Sequence, residues 1–120
     1  MRKTEKTLIL KETSGEMVAH AVTGWAVLPG VFVHRSIITI QDGKIQYHSQ
    51  KLQITHEASS GGMGTAYHAR VPDLLRRVKE EMSGLDWTIT PEEIKASQDH
   101  VNAVSRVLFG RDQFNSAGGQ

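Results

Sequence analysis

Hydrophobic and polar residues alternate in short runs over the first part of the chain and then change to helical spacing. Leu8-Ile9-Leu10 starts a first strand, and Ser14-Gly15 marks a turn. From Glu16 to Val22, Met17, Ala19 and Ala21 share one face while Val18, His20 and Val22 share the other. Gly24 to Gly30 is interrupted by glycine and proline and reads as a bend carrying Trp25. Val31 to Ile40 is the strongest strand pattern, and the Asp42-Gly43 that follows is a hairpin signature. Ile45 to His48 forms the return strand. Ser49-Gln50-Lys51 interrupts it before alternation resumes from Leu52 to Glu57. Ala58 to Gly64 is a glycine-rich flexible loop, and Thr65 to Val71 a last strand.

Helical periodicity begins at Pro72-Asp73, with Leu74, Leu75, Val78 and Met82 as the inward stripe and Gly84 as its end. Leu85 to Ile89 is an extended bridge pinned by Trp87. A second helix runs from Thr90 to Gly110. Thr90 and Glu93 have capping-box spacing, Pro91 suits the first helical position, and Gly110 supplies a left-handed stop. Its expected buried stripe is Ile94, Val101, Val104 and Leu108; a polar row of Lys95, Asp99, Asn102 and Arg106 lies beside it. Strands followed by helices give an α+β fold: an antiparallel sheet of about five to six strands, then two C-terminal helices. Short turns between strands exclude parallel crossovers. Residues 1–111 form one domain, and 112–120 are expected to be a disordered tail.

Composition narrows the function classes. The 120 residues contain no cysteine, so disulfides and thiolate metal sites are excluded. The net charge of +1 supplies no field for a polyanion, which disfavours nucleic acid as a partner. The N-terminal apolar run is too short for a signal peptide, and no stretch reaches membrane-spanning length. A soluble, cytoplasmic protein is expected.

Candidate chemistry is sparse. His48, His56 and His68 fall in neighbouring strand segments and His34 in another, but none has tight ligand spacing and HExxH is absent. No metal and no cofactor are expected. His34-Arg35-Ser36 is a single His-x-Ser, whereas hydrolysis of cyclic phosphates by paired histidines needs two. The nucleophile-elbow pattern GxSxG is missing, and Ser60 to Gly64 departs from a P-loop. No catalytic residue is therefore assigned. What remains is a set of guanidinium and aromatic groups suited to phosphates and purines. The ligand-binding candidates are Arg106, Asn102, Arg111, Arg35, Tyr67, Phe32, Trp25 and Arg70, with Arg76 and Arg77 beside them. Trp87 and Phe109 flank helix ends and are expected in the core.

Four stretches, VHRSIITIQDGKIQYHS, LQITHE, VPDLLRRVKEEM and TPEEIKASQDHVNAVSRVLFG, carry a resemblance together with chain length and element order. Over about residues 5–111 the chain resembles the first-described family of phage proteins that counter the Thoeris bacterial defence by sequestering its signal. The resemblance implies a non-enzymatic homo-oligomer, a dimer or a trimer of dimers, that binds glycocyclic ADP-ribose and in some cases cyclic oligonucleotides. No ligand residue is carried over from that family; the candidates above rest on side-chain chemistry alone. Sequestering a scarce signal requires affinity near nanomolar, about 12 kcal/mol, and so a nearly enclosed ligand. The competing expectations are a small nucleic-acid-binding regulator and an inhibitor acting through protein contact.

Overall fold

The computed structural model describes the backbone of residues 2–118 and the side chains of residues 2–110. Five strands form one antiparallel meander in chain order: β1 (Thr4–Lys11), β2 (Met17–Leu28), β3 (Val31–Gln41), β4 (Lys44–His56) and β5 (Gly61–Tyr67). Three helices follow, α1 (Val71–Met82), α2 (Pro91–Ala96) and α3 (Gln98–Gly118). The α+β class and the antiparallel sheet are as the sequence predicts; the helix count is not.

The extra helix arises at Ser97. Its backbone is extended (φ −97°, ψ 110°), so the expected Thr90–Gly110 helix is cut in two. Ser97 closes α2 with its N–H on the Ile94 carbonyl and opens α3 by accepting the Val101 and His100 N–H groups on its carbonyl and Oγ. A serine hydroxyl competes for backbone partners in this way, which favours a cap over a helix interior. The break resets the helical phase. Val101 becomes exposed, and the buried face of α3 is His100, Ala103, Val104 and Val107. Phe109 is 59% exposed, against its expected core place, because this phase turns it outward. Thr90 and Glu93 form the predicted capping box at α2. Gly110 kinks the chain at φ 77°, ψ 159°, a glycine conformation outside the left-handed helical region. Of the expected tail over 112–120, the backbone of 112–118 belongs to α3, and 119–120 lie outside the described residues.

In the sheet, Gly24 lies inside β2 rather than in a loop. It pairs with His34, and a Cβ there would sit 2.3 Å from the Val33 carbonyl oxygen and 2.9 Å from the Phe32 ring. The bend comes later, at Pro29-Gly30. Ser49 to Lys51 does not end β4. The strand continues past them, and the register against β3 jumps from Ile37↔Tyr47 to Arg35↔Leu52. β5 begins at Gly61, inside the expected loop, and stops before His68, whose φ is 57°.

The sheet separates two apolar clusters. Trp25, Val27, Val31, Val33, Leu52, Ile54 and Ala66 face the helices and meet Leu74, Val78, Met82 and Val107. On the other face the sheet curls around Leu8, Val22 and Phe32, each fully buried. The curl brings β1 to the β4–β5 turn, where the Ile9 N–H donates to Ser60 Oγ (2.8 Å) and Lys6 pairs with Glu57 (3.2 Å). The linker 85–90 runs beneath the sheet. Trp87 is 1% exposed and donates Nε1–H to the Met82 carbonyl at 2.7 Å.

Gly30 passes directly over that linker. A Cβ at this position would stand 2.4 Å from the Trp87 carbonyl oxygen, and its φ of 87° already disfavours a side chain. Gly30→Ala is expected to lower the unfolding free energy by about 2–4 kcal/mol through strain and backbone clash together. Gly15→Ala, at φ 95° with open space around it, should cost clearly less. Urea titration of the two variants checks this; equal losses would mean the Gly30 contact carries no weight.

Candidate functional site

The best-formed cavity lies between the β4–β5 hairpin and the two C-terminal helices, with a volume of about 380 Å³. That is toward the lower end of the range of about 300–1,000 Å³ usual for small-molecule sites. Met63, Pro91, Ile94, Val101, Val104 and Leu108 give it aliphatic walls. Gly61 and Gly62 form its hairpin rim; His56, Ser59, His100, Ser105 and Lys95 supply the polar groups.

Each wall has a local cause. Gly64 has no side chain, so Leu108 from α3 seats on β5; a Cβ there would lie 2.5 Å from Leu108 Cδ1. The β4–β5 register shifts between Ile54 and Thr55, which pair with Gly64 and Gly62, so Met63 bulges into the cleft wall. Ser60, just before β5, has φ 61°, a left-handed residue that turns the hairpin tightly.

Two imidazoles fix the cleft's inner end. His56 Nε2 donates to the Ile89 carbonyl (2.9 Å), which can only accept. Nδ1 is thereby left to accept the Ser59 hydroxyl proton at 2.7 Å, and Ser59 Oγ in turn accepts the Gly61 N–H at 3.1 Å. His100 repeats the pattern: Nε2 donates to the Asp86 carbonyl (2.7 Å) and Nδ1 accepts from Ser97 Oγ (2.6 Å). Its ring meets the Trp87 indole edge-on at 4.6 Å between centroids. Asp86 accepts the N–H and hydroxyl of Thr88 (2.8 and 2.6 Å), hydrogen bonds that hold its carboxyl below the ordinary value.

The residues singled out in the sequence sit elsewhere. Arg106 donates Nε–H to Glu81 Oε2 at 2.8 Å and lines an open groove between α1 and α3 with Arg77, Glu80 and Gly110. The carboxylates Glu80 and Glu81 beside Arg106 make that groove a poor host for phosphates. Asn102 accepts from Gln98 Nε2 at 2.8 Å, and Arg35 donates to the Ser49 carbonyl at 2.9 Å. Tyr67 is 64% exposed with Lys51 Nζ 5.0 Å above its ring. Arg70 is exposed beside the start of α1. Phe32 is fully buried against Leu8 and Val22, so it offers no ligand surface within the chain. Trp25 belongs to the helix-side core, with Lys3 Nζ 5.6 Å from its ring. Arg111 lies outside the described side chains. Arg106 and Arg77 line the α1–α3 groove, and neither lines the cleft.

What sequence reasoning missed is the His-x-x-Ser of His56–Ser59 and the Ser-x-x-His of Ser97–His100. A search for His-x-Ser passes over both. Among the described residues no three His, Cys, Asp or Glu side chains gather as a metal site, and no helix is long and apolar enough to cross a membrane. No protein-family model, no curated protein and no solved structure matches the chain.

His34 occupies the opposite side of the sheet, 1% exposed. Nδ1 donates to the Arg35 carbonyl and Nε2 accepts from Thr55 Oγ1, each at 2.8 Å; Thr55 in turn accepts from Gln53. Burial lowers its pKa from the ordinary 6.5, and the carbonyl partner only partly offsets that. The unfolded chain therefore binds more protons below about pH 6.5, and stability should fall with acid from there toward the lowered native value. Above that pH the contribution is complete. Unfolding free energies at about pH 7.5 and about pH 5.5 should differ less in His34→Gln than in the parent. An unchanged difference would mean His34 is not a source of acid sensitivity.

Proposed function

We propose that the chain is a small-molecule-binding protein whose ligand enters the hairpin–helix cleft and leaves it with its bonds unchanged. The ligand we propose is a cyclic nucleotide immune signal of the cyclic ADP-ribose type, sequestered to block an anti-phage defence. The observation that carries the binding reading is the cleft itself: about 380 Å³ with aliphatic walls, a glycine rim and one ammonium group, Lys95, in its lining. Apolar walls take the desolvated body of a ligand while a few polar groups orient it. A cavity of this volume encloses a nucleoside-sized part, so the phosphates of a larger signal extend past Lys95. A second copy of the chain covers them in the same proposal. The exposed Val101 (41%) on the cleft wall and Phe109 (59%) on the same helix are the surface such a copy would use.

The test is uptake. The protein is incubated with cyclic ADP-ribose isomers, desalted, heat-denatured, and the supernatant chromatographed. Intact ligand recovered in proportion to protein is the expected outcome. Altered ligand, or none, overturns the proposal. Gly64→Ala should push Leu108 into the cleft and weaken uptake about tenfold or more, at a stability cost of about 1–3 kcal/mol. Arg106→Ala should leave affinity unchanged, because its guanidinium is held at Glu81. The reverse ranking would move the site to the α1–α3 groove.

A further inference from the structure

The inner end of the cleft holds more than a binding surface. Ser59 is exposed on the hairpin turn, while His56, whose Nδ1 receives its hydroxyl proton at 2.7 Å, is 2% exposed. The imidazole cannot rotate away, since Nε2–H is fixed on the Ile89 carbonyl at 2.9 Å. A hydroxyl within hydrogen-bonding reach of an imidazole, with a third group orienting that imidazole, is the arrangement of an activated serine nucleophile. Here a backbone carbonyl takes the orienting place. The neighbouring Ser60 sits at φ 61°, so the turn that presents Ser59 is tightly wound. The same cleft offers aliphatic walls at Ile94, Val104 and Leu108 and an ammonium group at Lys95.

We propose that Ser59 and His56 form a nucleophile–base pair that cleaves carboxylic esters with short aliphatic acyl groups. Ser59 Oγ adds to the acyl carbon as its proton passes to His56 Nδ1, and the carbonyl π electrons move onto oxygen. Collapse of that adduct re-forms the carbonyl and breaks the bond to the leaving oxygen, which takes the proton from Nδ1. Water then adds to the acyl-serine with Nδ1 again accepting a proton. The second collapse releases the carboxylic acid and returns that proton to Ser59. Nε2–H stays on Ile89 throughout, so the imidazolium formed in each half is held by a carbonyl dipole. Lys95 is the ammonium group of the cleft lining available to the transient oxyanion. The pair selects a neutral carbonyl. A phosphodiester presents anionic oxygens that repel the incoming hydroxyl, so this activity coexists with intact release of a nucleotide. It rests on the cleft admitting a small molecule, not on the nucleotide being its ligand.

The experiment uses the full chain and p-nitrophenyl butyrate. Release of p-nitrophenolate by the parent should exceed that by Ser59→Ala by about a hundredfold or more, the usual contribution of a positioned base and nucleophile. Ser83→Ala, at the C-terminal cap of α1 and outside the cleft, should retain the parent rate. Acid quenching followed by peptide mass analysis should place a butyryl group on the peptide containing Ser59, a reading that does not depend on how any variant folds. Equal rates for parent and Ser59→Ala, or label on other residues only, overturn the proposal. Nucleotide uptake is measured separately, so loss of one result leaves the other standing.

Discussion

The indole of Trp87 sits where every layer of the fold meets. It is almost completely buried, its N–H closes on the end of α1, and it packs in a T-shaped contact with the His100 ring. The two carbonyls that bracket it in sequence, Asp86 and Ile89, are the acceptors of His100 and His56. One imidazole comes from α3 and the other from the end of β4, so a six-residue linker without regular structure is tied to helix and sheet at once. Gly30 lies against the same backbone from the β2–β3 turn. The cleft is a by-product of this clamp: its inner end consists of the two histidines that hold the linker, and its walls are the elements they hold apart.

That arrangement explains why buried polar groups are tolerated here. His34, Thr55, His56 and His100 are all under 9% exposed, yet each has named partners. A buried imidazole without partners would be costly, whereas a fully satisfied one fixes a unique geometry. On the far face, the His34–Thr55–Gln53 series gives the curl of the sheet the same kind of definition that Trp87 and its histidines give the helix side.

Much of the fold was legible because it is written in local chemistry. Alternation, the Asp42-Gly43 turn, the Thr90–Glu93 box and the α1 stripe act over a few residues and appear as expected. The misreadings share a physical origin in contacts between distant residues. Gly24 looks like a chain breaker, but it is the place where a strand must accept the Phe32 ring. Ser97 looks like a surface residue of one helix and is the cap of another, and that single break rotates Val101 and Phe109 outward. The cleft was illegible for the same reason. Its histidines are 44 positions apart, and two of the arginines that drew attention by their chemistry, Arg106 and Arg35, are spent on Glu81 and Ser49.

The curl of β1 onto the hairpin turn has a consequence for how copies of the chain behave in a crowded solution. A meander normally ends in two ribbons of unpaired amides, each a template for another molecule's strand. Here the first ribbon is partly spent on its own chain: the Ile9 amide is capped by a hydroxyl and Lys6 is drawn to Glu57 across the gap. The alternating, branched composition that makes these strands good at pairing is thereby met, at this point of the edge, by groups of the same chain that the sheet's curvature carries there.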